Sequence, residues 1–224
     1  MAELIVAFDH PSGREALALA DRLPGLRWAK VGSALLIREG PGIVREFARR
    51  GVQVFLDLKW HDIPSTVAGA VTAAQELGVT MATVHCLGGE AMLRAAAGAA
   101  GKLALVGVTV LTSHTAGSFE QVLGRGVPDV GVEAERLARI ALAAGLRGLV
   151  ASGREVGMLR QRLGKDPWIV VPGVRLEGAG DDDQARTVTP AEAVSLGASH
   201  IVVGRPIARA ADPGDVYRRI EAEL

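Results

Sequence analysis

The feature that most restricts what this chain can become is an unbroken alternation of two kinds of segment along its 224 residues. Short runs rich in β-branched apolar residues each give way to a longer stretch of Ala, Leu, Arg and Glu with helical spacing of the apolar positions. Strands are expected near Leu4 to Asp9, Arg27 to Gly32, Val52 to Lys59, Met81 to Cys86, Leu103 to Leu111, Gly148 to Ser152, Trp168 to Val174 and His200 to Gly204. Helices are expected over Gly13 to Leu23, Gly40 to Arg50, Thr66 to Leu77, Glu90 to Ala99, Val132 to Ala144, Glu155 to Leu163, Thr189 to Leu196 and Asp215 to Ala222. Ile169-Val170-Val171 and Ile201-Val202-Val203 are apolar at consecutive positions, as strands of a parallel sheet covered on both faces must be. A doubly wound open sheet would alternate similarly, but it would need a Gly-rich turn after the first strand, and Phe8-Asp9-His10-Pro11-Ser12 is not one. The expected fold is therefore an α/β (β/α)8 TIM barrel, a short one, filling residues 1–224 as a single domain. Two stretches without periodicity, Ser113 to Gly131 and Arg175 to Thr187, read as long loops of the functional kind.

Composition narrows the function classes. With 49% hydrophobic residues the chain can build one substantial core. Basic and acidic residues balance at 25 each, and no basic stripe is interleaved with aromatics, so nucleic acid is not an expected partner. Cys86 is the one cysteine and lies in an apolar run, which suits a small core residue in a reducing compartment. The N-terminal Met1-Ala-Glu-Leu-Ile-Val-Ala-Phe8 reaches Asp9 too soon for a signal sequence, and no apolar stretch approaches the roughly 18 residues of a membrane span. A cytoplasmic protein without membrane partners is expected.

Barrels of this type build their sites at the C-terminal ends of the strands. Those ends carry Asp9, Lys30, Asp57 with Lys59, His85, Thr112, Pro172 to Arg175, and Gly204-Arg205. Asp57 and Lys59 are two residues apart, so on a strand they share one face, here the upper barrel interior. Charges at that depth need partners, and Lys30 and Asp62 are expected to extend the pair into an alternating network. An isolated Asp-x-Lys reads first as a structural salt bridge. However, only four of the 25 basic residues are Lys, and two of those four stand at adjacent strand ends. Unlike Arg, a Lys ammonium can give up a proton, so proton donation would require Lys. Asp62 precedes Ile63-Pro64 at the next helix start, where it could be a plain N-cap or something more.

Val202-Val203-Gly204-Arg205-Pro206-Ile207 places a glycine and a guanidinium after the last strand, where barrels commonly hold a phosphate; a tight turn and a surface cation are the plainer reading. Asp181 to Arg186 lacks the spacing of a calcium loop. The five histidines show no metal-ligand spacing: His85 is expected in the barrel, and His10, His61, His114 and His200 at the periphery. No metal is expected, and no nucleophile elbow or Cys/His pairing emerges.

With these residues in place, the whole chain resembles the orotidine 5'-monophosphate decarboxylases. The resemblance rests on Asp57-Leu-Lys-Trp-His-Asp-Ile-Pro-Ser-Thr-Val67, supported by Ala7-Phe-Asp9, Lys30-Val-Gly32, Leu111-Thr-Ser113, Val171-Pro-Gly-Val-Arg175, Gly180 to Pro190 and Val203-Gly-Arg205 in order. It implies decarboxylation of orotidine 5'-phosphate to uridine 5'-phosphate with no metal or organic cofactor. Lys59 would protonate C6, Asp57 would face the departing carboxylate, and Lys30 would hold the network and contact ribose. It further implies a homodimer in which Asp62, Ile63 and Thr66 enter the partner's site. Asp9 would bind a ribose hydroxyl and Thr112 the pyrimidine, with Pro172 beside them. Gln184, Arg205 and Gly204 would hold the phosphate, Arg175 would belong to that end, and the loop from Arg175 to Thr187 would close as a lid. Trp60 and Ser65 stand where many members have Phe and Asn.

Two rivals are weighed against this resemblance. The Mg2+-dependent hexulose-phosphate synthases and keto-gulonate-phosphate decarboxylases share Asp-x-Lys-x-x-Asp, but typically continue with Ala-Gly rather than Ile63-Pro64. A non-catalytic phosphate-binding barrel would have no need of Lys30 and Lys59.

Overall fold

Alternate residues of the first strand, Glu3–Ala7 (β1), enter two different cores. Leu4 and Val6 pack outward against helices, while Ile5 and Ala7 point into a barrel with Trp28, Phe55, Met81, Val106, Val170 and Val202. That double burial explains why the strands read as continuous apolar runs rather than alternating ones. In the computed structural model, which describes residues 2–127, 129–175 and 188–224, the strands follow one another around a closed parallel barrel. They are β1, Trp28–Gly32 (β2), Gln53–Trp60 (β3), Met81–His85 (β4), Ala104–Val108 (β5), Gly148–Val150 (β6), Trp168–Val171 (β7) and His200–Val203 (β8), with β8 pairing back onto β1. The expected (β/α)8 TIM barrel is the observed fold.

The intervening helices are Gly13–Ala20 (α1), Ser33–Glu39 (α2), Gly42–Arg49 (α3), Pro64–Glu76 (α4), Gly89–Ala99 (α5), Ala116–Leu123 (α6), Val130–Ala143 (α7), Gly153–Leu163 (α8), Pro190–Ser195 (α9), Arg205–Ala208 (α10) and Pro213–Glu221 (α11). Their ends follow from local chemistry. Ser12, Thr115, Asp129, Thr189 and Asp212 each accept a first-turn backbone N–H. After α3 and α4 the chain reverses at Gly51 (φ 76°) and Gly78 (φ 82°), conformations that a Cβ would strain. Each turn delivers the next residue, Val52 or Val79, into the core. Among the described residues no helix is long and apolar enough to cross a membrane.

Three expectations need correction. The strand foreseen over Leu103 to Leu111 ends at Val108, because its neighbour β6 has only three residues and offers no ladder beyond Val150. The next residues, Val110, Leu111 and Thr112, line the cavity described below. The stretch Ser113 to Gly131 is not all loop: α6 begins at the Thr115 cap and ends at Gly124, which is left-handed. His200 is not peripheral. It shares the inward face of β8 with Val202, is 4% exposed, and packs 4.6 Å from Trp168 and 5.6 Å from Trp28 by ring centroids. Burial, with Arg147 nearby, pushes its pKa from 6.5 to about 4, so the barrel floor contains a neutral imidazole.

Candidate active site

A cavity of about 240 Å³ opens at the C-terminal ends of the strands. One wall is ionic. Lys59 Nζ lies 2.8 Å from Asp57 Oδ1, Asp57 Oδ2 lies 3.8 Å from Lys30 Nζ, and Lys30 Nζ lies 3.0 Å from Asp9 Oδ1. Charges therefore alternate from β3 across β2 to the end of β1, each ammonium meeting a carboxylate. The middle of this ladder is secluded, Lys30 and Asp57 being 12% and 16% exposed in their side chains, whereas Asp9 is open to solvent. Gly32 follows Lys30 on the same rim, and a Cβ there would meet Asp9 Oδ1 at 3.2 Å, a tight contact that the Asp9 side chain would have to relieve by shifting.

The backbone beneath Lys59 is unusual. Leu56 pairs with Ala82 and Trp60 with Val84, so β3 takes four steps where β4 takes two. Lys59 sits in this bulge at φ 52°, the one left-handed non-glycine among the described residues. That conformation costs an L-residue roughly 1–2 kcal/mol. Bulges next to sites re-aim side chains, and this one turns Lys59 over the cavity.

The opposite wall is apolar, formed by Val108, Val110, Leu111, Val150, Ala151, Val170 and Val202, with Thr112 and Pro172 at its edge. The third side brings together Gly173, Arg175, Gly204 and Arg205 from the ends of β7 and β8. Arg175 is anchored through its backbone N–H to Val188 O at 3.0 Å, next to the Val174–Val188 bridge. A Cβ on Gly204 would approach Ala7 Cβ to 3.1 Å, so the backbone there runs close against β1. Gln184 and the remainder of the expected lid, Leu176 to Thr187, lie outside the described residues.

Asp62, Ile63 and Thr66 are not brought to this cavity within one chain. Asp62 is exposed and its Oδ1 accepts the Ile63 N–H at 2.6 Å, whereas α4 has Ile63 at its N-cap and no side-chain cap. Ile63 is 64% exposed, and with His61, Asp62, Pro64, Leu87 and Gly88 it forms a separate surface groove. Thr66 is exposed on the first turn of α4.

Sequence reasoning missed one group beside the ladder, Thr83, whereas His85 was expected in the barrel. Thr83, on the inward face of β4, donates to Asp57 Oδ1 at 3.0 Å and accepts the Lys59 N–H at 2.8 Å. His85 stacks on His61 with centroids 5.5 Å apart and accepts the Leu87 N–H on Nδ1. Burial lowers its pKa to about 4, reinforced by His61, Lys59 and His114. Cys86 is buried as expected, and burial pushes its thiol up to about 12.

Residues 2–220 match the family model described as Orotidine 5'-phosphate decarboxylase / HUMPS family. The chain belongs to that family. An orotidine 5'-phosphate decarboxylase of Alkalilimnicola ehrlichii is 47% identical over 228 residues, covering 100% of this chain and 96% of the relative. One from Halorhodospira halophila is 48% identical over 99% of this chain and 95% of its own. In three dimensions, the crystal structure of orotidine 5'-phosphate decarboxylase from Lactobacillus acidophilus superposes with a TM-score of 0.89 at 33% identity, covering 100% of this chain and 99% of that one.

Proposed function

We propose that this member of the family removes CO2 from C6 of orotidine 5'-phosphate, giving uridine 5'-phosphate, the last step of de novo UMP synthesis. The observation that carries the reading is the ladder Lys59–Asp57–Lys30–Asp9 along one wall of a strand-end cavity. Loss of CO2 leaves an electron pair on C6 that the ring does not delocalise, so the reaction needs charge fixed in advance rather than a nucleophile. In the proposed step the bond from C6 to the carboxylate breaks and its electrons remain on C6. The Lys59 ammonium then donates a proton to C6, and the neutral amine recovers one from solvent. Asp57 faces the departing carboxylate and holds Lys59 in place, while Lys30 bridges Asp57 and Asp9.

Asp9 and Lys30 suit the ribose hydroxyls, and Thr112, with Pro172 alongside, suits the pyrimidine edge. Gly204, Arg205, Arg175 and Gln184 form the proposed phosphate end, whose binding energy would close the lid and exclude water. The exposed positions of Asp62, Ile63 and Thr66 suit a homodimer in which they complete the partner's site. The proposal involves no metal or organic cofactor and places the enzyme in the cytoplasm.

The deciding measurement is the ultraviolet absorbance change when orotidine 5'-phosphate is added in excess EDTA. Sustained conversion is expected. Loss of turnover that Mg2+ restores would favour the metal-dependent relatives, and a folded protein without conversion would favour a non-catalytic phosphate-binding barrel.

A further inference from the structure

We infer that Thr83 is a positioning residue whose buried hydroxyl fixes the geometry of the Asp57–Lys59 pair and thereby sets turnover. The inference rests on the decarboxylase reading above. Its basis is the strand register: between the pairs Leu56–Ala82 and Trp60–Val84, Thr83 is the β4 residue that faces the displaced Asp57-Leu58-Lys59 of β3. The bulge takes the Lys59 N–H out of the ladder, and that N–H donates instead to Thr83 Oγ1 at 2.8 Å. The hydroxyl proton is donated in turn to Asp57 Oδ1 at 3.0 Å, and the same oxygen accepts from Lys59 Nζ at 2.8 Å. A closed ring results, running from the Lys59 backbone through Thr83 and Asp57 to the Lys59 ammonium.

Only a hydroxyl fits this position. One atom must accept and donate at once, in a site that is 1% exposed. Val has the same shape and can do neither. Thr83 does not line the cavity, so it acts through its two neighbours rather than on substrate. Without it, the Lys59 N–H and one lone pair of Asp57 lose their partner, and the left-handed Lys59 backbone loses its tether. The ammonium would then be free to shift relative to the reacting carbon, and misplacement of about 1 Å can reduce a rate by roughly 100-fold.

The test compares steady-state kinetics of the wild-type protein, Thr83→Val and Thr83→Ser on orotidine 5'-phosphate, with thermal unfolding of each. We expect Thr83→Val to lower kcat by roughly 10- to 100-fold with little change in KM, because the binding groups are untouched. Thr83→Ser should retain kcat within a few-fold. A folded Thr83→Val with near-normal kcat overturns the inference while leaving the decarboxylase reading intact, and so does an equal loss in Val and Ser. If Thr83→Val does not fold, Thr83→Ala against Thr83→Ser decides by the same criteria. A wild-type protein that converts no substrate overturns the decarboxylase reading and this inference with it.

Discussion

The ammonium of Lys30 lies 3.0 Å from Asp9 Oδ1, joining the end of β1 to the Asp57 carboxylate 3.8 Å away on its other side. One cation thus serves two anions, and its side chain is only 12% exposed. Lys30→Ala would leave Asp57 with Lys59 as its one cation, beside the Thr83 hydroxyl, and release Asp9 from the rim. We expect kcat/KM for orotidine 5'-phosphate to fall by at least about 100-fold, the scale of losing one preorganised donor. Lys30→Arg should not restore it, because the planar guanidinium cannot take the place of a compact ammonium between the two carboxylates. Near-normal kcat/KM in either variant would remove Lys30 from the ladder's function.

The two ends of the cavity predict different kinetic signatures. Lys59→Ala removes the proposed proton donor and should abolish turnover, while binding of uridine 5'-phosphate, measured by calorimetry, stays within about tenfold because the phosphate end is intact. Arg205→Ala should do the converse, weakening binding by roughly 10- to 100-fold, the scale of a charge-assisted hydrogen bond, and raising KM. If the Lys59 variant retained measurable turnover, or the Arg205 variant bound nucleotide normally, the assignment of ends would fail.

These roles were legible in the sequence to different degrees. The barrel was visible because strands covered on both sides are apolar throughout, as in Ile201-Val202-Val203. Asp57 and Lys59 were visible as charges at a strand end. Their pairing was expected too, but what holds the pair in place was not visible, because the bulge in β3 is a property of register: a single chain shows neither the φ of Lys59 nor the pairing of Trp60 with Val84. The one available signal for Thr83 was a polar residue inside the apolar run Met81-Ala-Thr-Val84, which is easily taken for a β-branched strand former. His200 was misplaced for a related reason. A histidine at a strand start reads as surface until the inward parity of Val202 is known and Trp28 and Trp168 are seen closing over it.

The buried His200 makes stability depend on acidity. Its folded pKa is about 4 against an ordinary 6.5, so between those values the unfolded chain takes up a proton that the folded chain refuses. Its stabilising contribution is therefore complete above about pH 6.5 and declines as the pH falls toward 4, by up to about 1.4 kcal/mol per pH unit. His85 acts in the same direction. Thermal unfolding from pH 7 to 4.5 should show a falling midpoint in the wild-type protein and a shallower slope in His200→Gln. Parallel slopes would show that His200 is not held neutral.

The placement of Asp62 offers a test that does not depend on reading any single variant. In one chain Asp62 lies outside the cavity, in a surface groove beside the exposed Ile63, while Lys59 lies inside it. If Asp62 completes the partner's site, Lys59→Ala and Asp62→Ala should each be severely impaired alone. Mixed and allowed to exchange subunits, they should regain activity. A heterodimer then has one site with both substitutions and one with neither, so random pairing of equal amounts restores about a quarter of the wild-type sites. Were Asp62 to serve its own chain's Lys59, every site in the mixture would carry one of the substitutions and no recovery would follow. Exchange is confirmed separately by mass spectrometry of differently tagged chains, so absence of recovery in an exchanged mixture would exclude the shared site.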